Sequence, residues 1–151
     1  MNYIEKNKTY LFEILDEIDF FSENRYFILC DPFKRKHLLK CDIYNDYNFK
    51  VGNKVNCHVD KINCQGRVYI EPEHPIYKVG NYYNFKFLKK DKLRNKRGDL
   101  KNVLVFKDDL GHEAYSYIYD LDFFNNFKVN EVNAKVIQIK KAHVYIEVSN
   151  K

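Results

Sequence analysis

The sequence of 151 residues lacks tryptophan and contains only one methionine, three prolines and five glycines. No apolar run approaches the roughly 18 residues that a membrane-spanning helix needs, and the first residues lack the apolar core of a signal peptide. None of the four cysteines forms a C-x-x-C pair. These absences predict a cytoplasmic protein with reduced thiols and no membrane partner.

Motifs of catalysis are also missing. The chain has no glycine-rich phosphate loop, nucleophile elbow or His-Glu-x-x-His pair. Cys57, His58 and Cys64 come nearest to a metal cluster, but strand alternation directs Cys57 inward and His58 outward. We therefore predict that the protein is not an enzyme and that it holds no cofactor and no metal.

Aromatic residues are abundant, with thirteen tyrosines and twelve phenylalanines. Such a chain has enough apolar surface to bury a core, so a disordered chain is excluded. The aromatic and β-branched residues fall in short runs that alternate with polar residues, as at Val55, Cys57 and Val59. This period of two is typical of half-buried strands.

Two sequence blocks occur twice. Asn-Phe-Lys-Val stands at 48–51 and again at 126–129, and Val-Tyr-Ile-Glu stands at 68–71 and again at 144–147. The identical order and similar spacing indicate an internal repeat. The repeat divides the chain into a first domain, residues 1–75, and a second domain, residues 76–151, joined by a short linker with two prolines.

Each repeat unit is predicted to form five short strands with an interruption between the third and fourth. Five strands interrupted there are typical of the OB-fold, a small Greek-key barrel. The sequence therefore predicts an all-β protein of two tandem five-stranded OB-like barrels. No window has a sustained helical period.

The segment Val-Gly-Asn-Lys-Val at 51–55, followed by alternating apolar residues and a fifth strand with Val68 and Ile70, resembles the S-one-type RNA-binding domain, first described in a ribosomal protein. The second unit departs from that pattern, because Asn130 replaces the glycine. The family's Gly-x-Phe-Val of strand two and its histidine of strand three are absent from both units. The resemblance implies an RNA-binding OB domain.

Charge differs between the two halves. Residues 1–75 carry eleven Lys and Arg against twelve Asp and Glu, whereas residues 76–151 carry fifteen against nine. The densest basic segment, residues 89–101, is predicted to be a loop between the first two strands of the second unit, where it would bind phosphates. A loop kept soluble by its charge is the alternative. The basic residues are Lys89, Lys90, Lys92, Arg94, Lys96, Arg97 and Lys101.

The third strand of the second unit carries three tyrosines at alternate positions, Tyr115, Tyr117 and Tyr119. If they face outward, they form a ladder on which bases stack; if they face inward, they are core. Aligning the repeats pairs Tyr117 and Tyr119 with Leu39 and Cys41, which favours the core. Phe106 on the second strand is a further candidate for base stacking.

The sequence thus predicts a non-enzymatic protein that binds RNA or single-stranded DNA through the basic loop and aromatic residues of the second barrel. The alternative is a protein-interaction module or accessory subunit of a larger complex, ribosomal or nucleic-acid-processing. The first unit favours this alternative, because residues 16–24, which match the basic loop, are acidic. Phosphate would be repelled there. Three interpretations stay open: the segment faces a protein partner, it packs against the second barrel, or its Phe20 and Phe21 simply cover the core.

Overall fold

The computed structural model describes residues 3–20 and 24–148, and the chain divides into two compact units between Pro75 and Ile76. Each unit contains one five-stranded sheet, so the predicted all-β class with two such sheets is confirmed. Each unit also carries one short helical segment between its third and fourth strands.

The first unit contains β1 (Thr9–Phe20), β2 (Asn24–Cys30), β3 (Lys36–Lys40), β4 (Lys54–Ile62) and β5 (Val68–Pro72), with a 3₁₀ segment at Cys41–Tyr47. The antiparallel strands lie in the order β3-β2-β1-β4-β5. Alternate residues of β1, β2 and β4 face the interior, among them the fully buried Phe12, Leu29 and Cys57. The inward prediction for Cys57 is confirmed, and His58 is exposed.

The second unit contains β6 (Tyr82–Arg94), β7 (Leu100–Lys107), β8 (Glu113–Tyr117), β9 (Glu131–Lys140) and β10 (His143–Glu147), with helix α1 at Leu121–Asn126. The strands form a closed barrel in the order β8-β7-β6-β9-β10, because β10 pairs antiparallel with β9 and parallel with β8. The Asp120 carboxylate accepts hydrogen bonds from the first turn of α1 and so caps it. The helix contributes Phe124 to the core.

Strand β7 is buried on both faces. The side chains of Val103, Leu104, Val105 and Phe106 are at most 1% exposed. Leu104 and Phe106 belong to the barrel core, whereas Val103 and Val105 alternate with them and lie on the outer face. The apolar run of β7 is therefore continuous because the outer face of this strand is also covered by side chains.

The sequence repeat corresponds to equivalent hydrogen bonds in the two units. The backbone amide of Glu5 donates to the Tyr10 hydroxyl at 2.9 Å, and the amide of Lys78 donates to the Tyr83 hydroxyl at 3.0 Å. Equivalent strand pairs also bulge at equivalent places, after Ile14 in β1 and after Phe87 in β6. The two bulges therefore fix a residue-by-residue correspondence along β1 and β6.

Four hairpin turns share one arrangement. Each begins with an Asp or Asn whose Oδ1 accepts hydrogen bonds from the amides two and four residues later: Asp31, Asn63, Asn95 and Asp108. The fourth residue of each turn has a positive φ, which favours glycine. Three turns have glycine there, whereas the first unit has Lys34 at φ 71°.

The basic segment 89–101 was predicted to be a loop, and this prediction is wrong. Strand β6 continues to Arg94 and pairs residue by residue with β7, so only residues 95–99 form a turn. The matching acidic segment 16–24 is likewise strand on both sides, and its residues 21–23 lie outside the described residues. These strand segments carry charged side chains on both faces. Their sequence therefore lacks the alternation of apolar and polar residues from which strands are predicted.

Candidate nucleic-acid interface

The tyrosines of β8 face outward. Ala114 and Ser116 are buried at 0% and 2% exposure, and Tyr115 and Tyr117 alternate with them on the outer face. The repeat alignment at this strand is off by one residue. Leu39 pairs with Phe27 of β2, and Ser116 pairs with Leu104, the residue of β7 that corresponds to Phe27. Leu39 therefore corresponds to Ser116 and not to Tyr117. A one-residue shift exchanges the two faces of a strand. The buried Leu39 therefore says nothing against an exposed Tyr117.

A third tyrosine, Tyr145 of β10, joins these two. The rings of Tyr117 and Tyr145 are stacked, with centroids 5.7 Å apart and planes inclined by 14°. The Tyr115 ring lies 6.1 Å from that of Tyr145. We call these three residues the tyrosine platform. Sequence reasoning missed Tyr145, although it lies between the inward-facing Val144 and Ile146 and alternation directs it outward.

The platform also has a structural role. Tyr117 pairs across the ladder with Val103, and Tyr115 pairs with Val105, on the outer face of β7. Both valines are at most 1% exposed, and burying a valine side chain stabilises a fold by about 1.5–3 kcal/mol. The same rings remain open to solvent, since Tyr117 is 37% exposed.

Two of the platform tyrosines, Tyr115 and Tyr145, are neutral at physiological pH. Burial, with the hydrogen bond that the Tyr115 hydroxyl donates to Glu113 at 2.7 Å, raises the pKa of Tyr115 to about 12. Burial and the neighbouring Tyr117 raise the pKa of Tyr145 to about 12. Uncharged rings stack on bases without repelling the phosphates that carry them.

Cations flank the platform on the same outer face. Lys101 pairs with Leu93 in the β6–β7 ladder and so shares the face of Val103, and its Nζ lies 5.7 Å from the centroid of the Tyr119 ring. Tyr119 follows β8 and is 81% exposed. Lys89 shares this face opposite Val105, with its Nζ 3.7 Å from the Asp91 carboxylate.

The predicted basic residues divide between two faces of the hairpin formed by residues 89–101, which we call the basic arm. Lys90, Lys92 and Arg94 lie on the face opposite to the platform. Lys90 is engaged there, because its Nζ donates to the carbonyl of Asn125 at 2.8 Å and lies over the Phe124 ring. Lys96 and Arg97 form the exposed tip of the turn. Of the basic residues on β6 and β7, Lys89 and Lys101 therefore share the face of the tyrosine platform, together with Asp91, which pairs with Val103 across the ladder.

Phe106 does not belong to the site. Its side chain is 0% exposed in the barrel core, 5.9 Å from the ring of Phe127. A ring with no exposed face has no room for a base, so the prediction that Phe106 stacks is wrong. Phe106 directly follows the outward-facing Val105, so strand alternation directs its side chain inward.

The corresponding face of the first unit has a different chemistry. Leu38 and Lys40 stand where the second unit has Tyr115 and Tyr117. Tyr69, which matches Tyr145 in the repeat, contacts cations instead of a second ring, with Lys61 Nζ at 5.0 Å and Arg67 Cζ at 4.9 Å from its centroid. The stacked tyrosine pair is therefore a feature of the second unit.

Two aspartate–histidine pairs occur at equivalent turns. Asp31 contacts His37 at 2.9 Å, and Asp108 contacts His112 at 3.0 Å. Within residues 3–20 and 24–148, no three His, Cys, Asp or Glu side chains converge as a metal site. No helix in that part of the chain is long and apolar enough to cross a membrane.

Comparison with known proteins finds no family model and no curated protein that matches the chain.

Proposed function

We propose that the chain binds RNA or single-stranded DNA on the outer face of its second unit. Bases stack on the tyrosine platform, Lys101 and Lys89 neutralise the adjacent phosphates, and Lys96 and Arg97 at the tip of the basic arm extend the track. The observation that carries the proposal is the solvent-facing Tyr117–Tyr145 pair on the same face as Lys101.

The proposal includes an OB-like architecture for both units, as the resemblance to the S-one-type RNA-binding domain implies. In its favour, the second unit places its strands in the order 1-2-3-5-4 with a parallel contact between strands 3 and 5. Its helix lies between strands 3 and 4. OB-folds bind oligonucleotides on the face of strands 2 and 3, which is the face of the tyrosine platform.

The tyrosine platform and the cations on its face favour single strands that are bound with little sequence preference. The platform offers ring faces, on which every base stacks, and the cations beside it contact phosphates. We propose no catalytic role, since the aspartates of the two aspartate–histidine pairs are engaged in holding hairpin turns. The four free cysteines accord with a cytoplasmic setting.

A salt-series titration tests the proposal. Fluorescein-labelled ten-nucleotide oligouridine and oligothymidine are titrated with the full chain from 50 to 300 mM salt and followed by anisotropy. We expect affinity for both strands to fall steeply with salt, because neutralised phosphates release counterions. A blunt-ended duplex of the same length is expected to bind more weakly, since its bases are already stacked on one another. Absence of binding at 50 mM salt contradicts the proposal.

A further inference from the structure

The sheet of the first unit is open where the barrel of the second unit is closed. In the second unit β10 pairs in parallel with β8, with Val144 opposite Ala114 and Tyr145 opposite Tyr115. In the described part of the first unit, β3 pairs with β2 alone and β5 pairs with β4 alone. One edge of β3 therefore has no strand beside it within that part of the chain, and we call it the free edge.

The fifth strand has the same sequence in both units but different surroundings. The block Val-Tyr-Ile-Glu lies in β5 and again in β10. In the first unit its glutamate, Glu71, is buried and accepts a hydrogen bond from the Tyr44 hydroxyl of the 3₁₀ segment at 3.0 Å. The matching Glu147 is exposed. Pro72, which ends β5, has no N–H for a further strand. Both differences disfavour closure of the first unit by its own fifth strand.

The free edge of β3 presents backbone donors and acceptors. In an antiparallel ladder, residues that exchange hydrogen bonds with the partner strand alternate with residues whose N–H and C=O point away from it. The Asp31 amide donates to the Arg35 carbonyl at 2.9 Å in the turn between β2 and β3. The next residue of β3 that is bonded to β2 is therefore His37. The N–H and C=O groups of Lys36 and Leu38 consequently point to the free edge.

The side chains along the free edge are basic, with one apolar residue between them. Lys36, Leu38 and Lys40 alternate on the outer face of β3, and all three are exposed, Leu38 by 54%. Lys34 and Arg35 of the preceding turn add two exposed cations. Among the described residues, no carboxylate lies within ion-pair distance of these four cations.

The nearby carboxylates do not neutralise the free edge. Asp31 is buried and accepts hydrogen bonds from the turn amides and contacts His37. The carboxylates of residues 13–19 lie on β1, and β2 separates them from β3. Asp42 follows the end of β3 and is exposed. The free edge is therefore positive, although the first half of the chain carries one more acidic than basic residue.

We propose that the free edge of β3 binds an extended acidic segment of a protein partner as an added strand. The backbone of the segment bonds to Lys36 and Leu38, as in other complexes in which a peptide extends a sheet. Directly opposite side chains share one face of the sheet. The segment therefore carries Asp or Glu opposite Lys36 and Lys40 and an apolar residue opposite Leu38.

The chemistry of the free edge favours a peptide over a nucleic acid. Backbone N–H and C=O groups at strand spacing match another peptide backbone. Leu38 and Lys40 also stand where the second unit has Tyr115 and Tyr117, so these positions offer no rings for bases. The inference does not rest on nucleic-acid binding by the second unit, and it assigns the first unit a separate partner.

Titration of the ¹⁵N-labelled full chain with designed peptides tests this inference. The probe is a ten-residue peptide with Glu-Val-Leu-Val-Glu at its centre, and the control peptide has Lys-Val-Leu-Val-Lys there. We expect the amide resonances of Lys36, Leu38 and Lys40 to shift with the acidic peptide and not with the basic one. N-methylation of the three central amides keeps the charge but removes donors of the added strand. It should weaken binding at least about tenfold.

Reversal of charge at the free edge tests recognition by the side chains. The double variant Lys36→Glu, Lys40→Glu is expected to bind the acidic peptide at least about fivefold more weakly and to bind the basic peptide instead. Lys128→Glu with Lys135→Glu, at exposed positions of the second unit, changes the net charge equally and should leave binding intact. Amide spectra verify that each variant is folded, and the N-methylated peptide tests the inference without any variant.

Four outcomes overturn the inference: no shifts in β3 at millimolar acidic peptide, equal binding of the N-methylated peptide, equal binding of the acidic peptide by the charge-reversed variant, and shifts in β3 caused by ten-nucleotide oligouridine. The second would reduce the contact to attraction between charges, and the last would assign the free edge to nucleic acid. Loss of oligonucleotide binding at the tyrosine platform leaves the inference untouched, so the two proposals fail separately.

Discussion

The ring of Tyr117 is stacked on the ring of Tyr145, with an interplanar angle of 14° and 5.7 Å between centroids. The two residues are 28 positions apart in the chain and meet because β8 and β10 pair in parallel. Closure of the barrel therefore assembles the surface on which we propose that bases stack. Fold and candidate site depend on the same strand contact.

Loss of the stacked ring should weaken binding of single strands. We expect Tyr117→Leu, which retains apolar cover over Val103, to reduce affinity for oligouridine by about five- to 150-fold, the range for one base–aromatic stack. The slope of affinity against salt should not change. Anisotropy titrations at several salt concentrations measure both quantities.

Tyr82→Leu is the matched control for this substitution. Tyr82 is 64% exposed on β6 but pairs with Lys135 of β9, away from β7 and β8. Its loss should leave affinity unchanged. Equal losses of affinity in the two variants would show that the tyrosine platform is not where bases stack.

The two faces of the basic arm should differ in their effect on salt dependence. Lys101→Gln removes a cation from the face of the platform, whereas Lys92→Gln removes one from the opposite face. We expect Lys101→Gln to flatten the slope of log affinity against log salt by about 0.7, the contribution of one phosphate contact on a single strand. Lys92→Gln should leave the slope unchanged. A smaller slope for Lys92→Gln than for Lys101→Gln contradicts this assignment of faces.

Much of the fold was predictable because the repeat and the alternation are local features of the sequence. Five strands per unit follow from short apolar runs separated by turns. Residues 16–20 of β1 and 89–94 of β6 were not predicted as strands, because strand segments beyond a core need not alternate apolar with polar residues. The faces of β8 were ambiguous from sequence, since an alignment error of one residue reverses inside and outside.

The candidate site was predictable only in part. A run of basic residues reveals charge but not which side of a ribbon each residue occupies, so Lys90 and Lys101 looked alike. Tyr145 escaped because its contact with Tyr117 depends on a parallel strand pair far apart in sequence. Phe106 was wrongly included because β7 is apolar on both faces and its sequence marks neither as outer.

The strained turn of the first unit offers a stability test. Lys34 occupies, at φ 71°, the position that glycine holds in the other three turns of this kind. We expect Lys34→Gly to stabilise the first unit by about 1 kcal/mol, because glycine adopts positive φ without a steric cost. Gly111→Lys, at the equivalent turn of the second unit, should destabilise that unit by a similar amount. Urea unfolding followed through amide resonances of each unit measures both; a loss of stability for Lys34→Gly refutes the argument from backbone strain.

The buried Asp31 should make the first unit sensitive to acid. Burial alone raises the pKa of this carboxyl group, but hydrogen bonds from His37 and from the amides of Arg35 and Phe33 outweigh it and lower the pKa below its usual value. The ionised carboxylate therefore contributes stability above pH of about 4, and this contribution is lost as pH falls through the lowered pKa.

Asp31→Asn keeps an oxygen that accepts from the two amides but cannot ionise. We expect its free energy of unfolding to be lower than that of the wild type at pH 7 and to depend less on pH below about 4. Unfolding in urea from pH 2 to pH 7 measures the two curves for the first unit. Parallel curves would mean that Asp31 does not carry this acid sensitivity.

The most direct test of the proposed function is a map of the contact surface. The full chain, labelled with ¹⁵N, is titrated with ten-nucleotide oligouridine while its amide resonances are followed. We expect shifts concentrated at Val103, Tyr115, Tyr117 and Tyr145 and at the tip of the basic arm, with the first unit unperturbed. Shifts confined to the first unit, or no shifts at millimolar oligonucleotide, would contradict the proposed function.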